Sequence, residues 1–184
     1  MKKTTYLFLA DGFEESEALT TVDVLRRANL NVQTVSVTGD LIVRGAHQIM
    51  VIADALFEDC KFEQVQALVL PGGMPGAETL GKHQGLVDLL KQHNNTTTVL
   101  AAICAAPMVL GQNGLLEGKQ TVAYPGFESY LKGATIKNEL VVVDGNILTG
   151  KGPAASLPFA LALAQKLAGK EVADEIKLGM CVEC

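Results

Sequence analysis

The chain has 184 residues, no tryptophan, a hydrophobic fraction of 48% and a formal net charge of -5 at pH 7. That length and apolar content suit one well-buried domain spanning 1–184, and the acidic balance, with no run of lysine or arginine, argues against nucleic-acid or anionic-membrane partners. No apolar run approaches the roughly 20 residues that span a bilayer, the stretch after Lys2-Lys3 is cut at Asp11-Gly12 below signal-peptide length, and four cysteines without a secretory signal read as reduced thiols. A cytoplasmic protein is expected.

Thr5 to Ala10 (TYLFLA) is a continuous apolar run, as expected of a strand buried on both faces. It leads through Asp11-Gly12 into a helix-period segment from about Phe13 to Ala28, in which Ala18, Val22, Leu25 and Ala28 recur on one face. Glu14 and Glu15 fall in the first turn, where carboxylates suit the helix dipole, and Arg26 and Arg27 close the last turn for the same reason. Glu17 lies on the flank of the apolar face; taken alone it reads as a solvated carboxylate. Val32 to Val37 is the next strand, so the first forty residues form a βαβ unit with parallel strands. Asp40 to Ile52 reads as an antiparallel excursion turning at Arg44-Gly45.

Ala67 to Leu70 is another buried strand, running into the glycine-rich loop Pro71-Gly72-Gly73-Met74-Pro75-Gly76. Such strand ends are where open α/β sheets bind ligands, although an ordinary tight turn has the same composition. Neither a phosphate-loop nor a dinucleotide fingerprint is present, so no nucleotide cofactor is assigned. Leu86 to His93 reads as a helix. Thr98 to Ile103 is a continuous apolar run of strand length and ends at Cys104, followed by Ala105, Ala106 and Pro107. A proline that early fits only the first turn of a helix, which puts Cys104 on a sharp strand-to-helix turn. Backbone N–H groups and the positive end of the helix dipole would favour its thiolate and lower its pKa; a buried structural cysteine is the alternative. Short strands follow at Thr121 to Ala123 and Leu140 to Val143, with a hairpin signal at Asp144-Gly145 leading to Ile147-Leu148-Thr149. A helix runs from Lys151-Gly152-Pro153 through Leu167, and a last one from Lys170 to Leu178. This alternation predicts a single-domain, doubly wound, three-layer α/β/α sandwich with a mostly parallel, flavodoxin-like sheet.

Four segments, ADGFEESEA, LPGGMPGA, AAICAAP and GKGPAAS, together and in this order resemble the DJ-1-like branch of the ThiJ/PfpI superfamily over essentially the whole chain. The resemblance implies that Cys104 is a nucleophile and oxidation sensor and that Glu17 is its conjugate carboxyl group. It gives the N–H groups of Gly72, Gly73 and Ala105 the role of an oxyanion pocket. A carboxyl group beside a thiolate in a partly dry pocket is pushed to stay protonated and can donate to sulfur. The resemblance also implies a homodimer with the first helix at its interface, where Arg27 can help line an anion-accepting site. Relatives commonly carry a histidine near the nucleophile where this chain has Tyr124, and tyrosine is a poor general base at neutral pH. The peptidase branch needs a histidine directly after the nucleophile, where this chain has Ala105, so a protease is not expected.

His47, His83 and His93 read as surface or loop residues, with His47 nearest the pocket mouth in the resemblance. Cys60 reads as a semi-exposed thiol without a role. Cys181 and Cys184 form a terminal C-x-x-C, too few ligands for a structural zinc; an incidentally oxidisable tail, a redox pair and a shared metal site all remain open. No metal and no cofactor are assigned. Two functions are compatible with the site. One is a cofactor-free, cysteine-dependent enzyme of glyoxalase or deglycase type, acting on a small-molecule carbonyl such as methylglyoxal or its adducts. The other is a redox-sensing stress-response or chaperone-like protein acting through oxidation of Cys104.

Overall fold

The computed structural model describes residues 3–182; Cys184, half of the terminal C-x-x-C, lies outside them. Strand β1 (Thr4–Leu9) is buried almost throughout. The chain turns at Gly12, whose φ is +85° and whose missing Cβ would lie 2.5 Å from Pro75 Cδ. Helix α1 (Glu15–Arg27) follows, with Ala18, Val22, Leu25 and the adjoining Ala28 all buried, as the 3.6-residue period requires. β2 (Asn31–Ser36) then pairs parallel to β1. β3 (Ile42–Arg44) and β4 (Met50–Ile52) form an antiparallel ribbon outside the main sheet, and β5 (Ala55–Leu56) extends the sheet beyond β2.

β6 (Val65–Leu70) leads through the glycine-rich loop into α2 (Gly76–Lys82) and α3 (Gln84–Gln92). β7 (Val99–Ile103) is buried at every residue and passes into α4 (Pro107–Gln112). β8 (Gln120–Thr121) and β9 (Thr135–Ile136) pair outside the main sheet. β10 (Val141–Asp144) and β11 (Ile147–Gly150) form the one antiparallel pair within it, and α5 (Ser156–Ala168) and α6 (Lys170–Gly179) complete the described chain.

The seven-stranded sheet has the order β10-β11-β7-β6-β1-β2-β5. α1 packs on α5 and α5 on α6, while α2 packs on α3 and α4. The result is a mixed α/β, flavodoxin-like fold with a mostly parallel sheet flanked by helices. β6, β7 and β11 are adjacent and parallel, so their carboxyl ends and the loops that leave them share one edge of the sheet.

Besides the short strands β5 and β9, which the sequence reading did not include, three elements differ from it. Gly76–Lys82 is helical despite two glycines, because Ala77 and Leu80 are buried beneath it. The segment after Thr121 does not continue as a strand: the Thr149 hydroxyl oxygen accepts from the Val122 N–H at 3.0 Å, in place of a ladder carbonyl. Helix α5 begins at Ser156 rather than Lys151, after a short 3-10 turn at Pro153–Ala155.

Candidate functional site

Cys104 leaves the carboxyl end of β7 with φ +65°, a left-handed backbone that costs an L-residue about 1–2 kcal/mol. Two backbone hydrogen bonds hold that geometry. The Cys104 N–H donates to Gly150 O at 2.9 Å, and the Tyr124 N–H donates to Cys104 O at 2.8 Å. Pro107 opens α4 just beyond. The N–H groups of Gly73 and Ala105 favour the charged form of the cysteine sulfur, and the side chain is almost fully enclosed.

Glu17, in the first turn of α1, is completely buried. Its Oε2 accepts from the Gly72 N–H at 2.8 Å, Oε1 has no hydrogen-bond partner, and the carboxyl group lies beside Cys104. Glycine at 72 is a steric requirement: a Cβ there would lie 2.5 Å from Cys104 Cβ and 2.8 Å from Glu17 Oε2. Burial pushes the Glu17 pKa from 4.5 up to about 7, against the pull of the Gly72 N–H.

Burial also pushes the Cys104 thiol from 9.0 up to about 12, and the neighbouring Glu17 carboxylate adds to the rise. The sequence expectation of a depressed pKa is thereby corrected. The Gly73 and Ala105 amides do pull downward, but desolvation and the like charge outweigh them. Two anions this close in a dry pocket do not coexist, so ionisation of either group opposes that of the other.

The remaining residues singled out in the sequence divide into those at the elbow and those away from it. Gly73, with φ +86°, and Ala105 both reach the sulfur. The Gly72 N–H, by contrast, is taken by Glu17 rather than turned toward the thiolate, which corrects its expected place in an oxyanion pocket. Tyr124 is tied to Cys104 through its backbone, while its half-exposed ring meets Phe127 edge-on at 6.5 Å. Arg27 lies ten residues beyond Glu17, about 15 Å along α1, and pairs with Asp23 at 2.8 Å; within one chain it takes no part in the site.

Sequence reasoning missed the role of Glu15. This nearly buried carboxylate accepts from the His47 N–H at 2.7 Å and the Ile49 N–H at 3.4 Å, and its Oε2 pairs with His47 Nδ1 at 2.8 Å. It thereby fastens the β3–β4 loop to the start of α1. Burial works to raise the Glu15 pKa, but these hydrogen bonds bring it below the ordinary carboxylate value. The bond to Glu15 raises that of His47. Glu14, Glu15 and His47 each bring one ligand atom within 4.8 Å of the others and could hold a cation, although Glu15 and His47 already satisfy one another.

His83 is no free surface group. It accepts from the Leu86 N–H at 3.1 Å, capping α3, and packs on Phe57 at 4.5 Å. His93 sits at the other end of α3. Cys60 donates to Leu56 O at 3.3 Å, with its thiol pushed up by burial, and Cys181 is exposed.

A strained cysteine at a strand-end elbow, paired with a buried carboxyl group on a flavodoxin-like sheet, defines a class of cysteine-dependent α/β proteins. The comparisons agree with that class. Residues 3–166 match the model of the DJ-1/PfpI family, and the chain belongs to that family. It is similar to protein dj-1beta of Drosophila melanogaster, at 34% identity over 184 residues covering 99% of this chain and 98% of the relative. The crystal structure of that Drosophila protein superposes with a TM-score of 0.94 over 100% of both chains. Oxidised DJ-1 of Toxoplasma gondii superposes with a TM-score of 0.93 at 36% identity, covering 97% of this chain and 98% of the other.

Proposed function

We propose that this chain is a cofactor-free cysteine enzyme acting on small α-oxo aldehydes such as methylglyoxal, or on their adducts with amines and thiols. The observation that carries the reading is the placing of Cys104 on a strand-end elbow beside the completely buried carboxyl group of Glu17, with only a glycine at 72 fitting against both. With a proton on Glu17 and none on sulfur, Cys104 is a thiolate supported by the Gly73 and Ala105 amides, and the carboxylic acid beside it is ready to donate.

The thiolate adds to the aldehyde carbon, a C–S bond forms, and the carbonyl oxygen takes the Glu17 proton to give a hemithioacetal. The Glu17 carboxylate then moves the C1 proton to C2. This oxidises the former aldehyde carbon to a thioester and reduces the neighbouring ketone to an alcohol. Water cleaves the C–S bond, releasing a hydroxy acid and restoring the thiol. The electrons move within the substrate, so no external acceptor is needed. The test is methylglyoxal consumption by Cys104→Ser: loss of all enzymatic turnover is expected, and unchanged turnover would show the reading to be wrong.

A second reading, oxidation sensing, is favoured by Glu17 Oε1, which is buried without a hydrogen-bond partner. Two equivalents of peroxide convert the thiolate to a sulfinate with release of two waters, and a protonated Glu17 can donate to one of the new oxygens. The relative from Toxoplasma gondii, described as oxidised, supports this reading by analogy. Mass spectrometry after mild peroxide treatment should place the first oxygens on Cys104; earlier oxidation of Cys60 or Cys181 would remove its basis.

Either function is proposed to operate in a homodimer. On the outer face of the β3–β4 ribbon, Ile42 and Ile52 stand opposite one another and Met50 lies beside them, all strongly exposed, while Val43 and Val51 face inward. Leu19 of α1 is also exposed and lines the same cleft as Ile52. An apolar patch of this kind suits a self-complementary contact with a second copy.

A further inference from the structure

Next to the elbow lies a cleft of about 190 Å³ lined by Tyr124, Pro125, Leu140, Gly152, Pro153 and Ala154. Its position follows from the topology. β7 and β11 are parallel neighbours, the Cys104 N–H donates to Gly150 O, and the Tyr124 N–H donates to Cys104 O. The chain leaving β11 and the chain carrying Tyr124 are therefore both pinned to the nucleophile's own backbone. The cleft opens between them, at the carboxyl ends of two parallel strands, where α/β sheets accept ligands. Glycine at 152 lets the Tyr124 ring close against the backbone, since a Cβ there would lie 3.0 Å from a ring carbon.

The lining is apolar apart from the Tyr124 hydroxyl and Lys151, whose ammonium group donates to Asn138 Oδ1 at 2.8 Å. The walls are mostly carbon, so they favour an apolar substituent over a hydroxylated or charged one. The volume suits an aromatic ring, because an apolar cavity of about 150 Å³ is enough to hold benzene. The single methyl group of methylglyoxal would leave most of the space unfilled.

We infer that this cleft receives the carbonyl substrate's side group, so that Cys104 reacts preferentially with α-oxo carbonyl compounds bearing an aromatic substituent. The inference rests on the carbonyl reading of the site, and its test separates the two. Cys104 is alkylated with 2-bromoacetophenone and with bromoacetone, the other cysteines being replaced; the thiolate displaces bromide in each case. Each rate is divided by that of the same reagent with free glutathione. In parallel, kcat/KM is measured for phenylglyoxal and methylglyoxal.

Filling an apolar subsite is worth about tenfold or more, so the normalised aryl-to-methyl ratio should exceed about ten in both assays. Ala154→Phe, at an exposed turn position, should occupy the cleft and bring the ratio toward one. Ala154→Ser should preserve it, and Leu140→Ala, which removes the opposite wall, should lower it without relying on the Phe variant to fold. A wild-type alkylation ratio near one, or one insensitive to Ala154→Phe and Leu140→Ala, overturns the inference even if both aldehydes are consumed. An aryl preference in alkylation that the variants abolish, without turnover of either aldehyde, upholds the cleft and instead removes the enzymatic reading.

Discussion

Glu17 and Cys104 share a dry pocket in which ionisation of one opposes ionisation of the other, and this makes two measurements diagnostic. In Glu17→Gln the amide oxygen can still accept from the Gly72 N–H, but the negative charge that raises the thiol pKa is gone. The apparent pKa of Cys104 alkylation should therefore fall, while carbonyl turnover should drop by about 10²–10⁴ with the loss of proton transfer. A variant with slower alkylation and normal turnover would contradict both roles of Glu17. The second measurement is stability against pH. The Glu17 pKa is raised on folding from 4.5 to about 7, so the folded state holds the proton more tightly than the unfolded one. Its contribution is fully present below 4.5 and is lost as pH rises through 7, by about 3 kcal/mol. Urea midpoints at pH 5 and pH 8 should show this decline in the wild type and a flatter profile in Glu17→Gln; parallel profiles would assign the decline to other groups.

At the scale of elements, the site depends on loops held in place by buried polar groups. Glu15 fastens the β3–β4 loop to α1 through the His47 and Ile49 N–H groups. Glu15→Ala leaves both donors without their acceptor, so hydrogen exchange at His47 and Ile49 should accelerate by at least about tenfold, equivalent to about 1.4 kcal/mol of local opening, while β1 and β7 amides keep their protection. Unchanged exchange at both positions would mean that the ribbon's own ladder holds the loop. The sequence made the ribbon visible through its turn at Arg44-Gly45. It did not show the anchor, because a first-turn glutamate carries the same signature whether it faces water or a neighbouring loop. Helix α2 was hidden for a related reason: its glycines lower local propensity, and only burial of Ala77 and Leu80 overrides that.

For the whole molecule, the outer face of the β3–β4 ribbon is the feature that a lone chain leaves unexplained. Met50→Glu combined with Ile52→Glu places charge on that face without touching the inward Val43 and Val51. Sedimentation should report a dimer for the wild type and a monomer for the double variant. A monomeric wild type would remove the proposed interface, and with it any part for Arg27 in a site shared between subunits.

The sequence by itself determined the alternation of strands and helices, the mostly parallel sheet and the placing of Cys104 at a strand-to-helix turn. Each of these is written in local periodicity and in the backbone restrictions of glycine and proline. Only the tertiary structure decided the ionisation of the site. Whether Glu17 faces water or sulfur, whether the Gly72 amide serves the carboxyl group or the thiolate, and whether the cysteine pKa falls or rises depend on which groups share a dry pocket. Desolvation and charge act through space, between residues as far apart in sequence as Glu17, Gly72 and Cys104, and no local pattern records them.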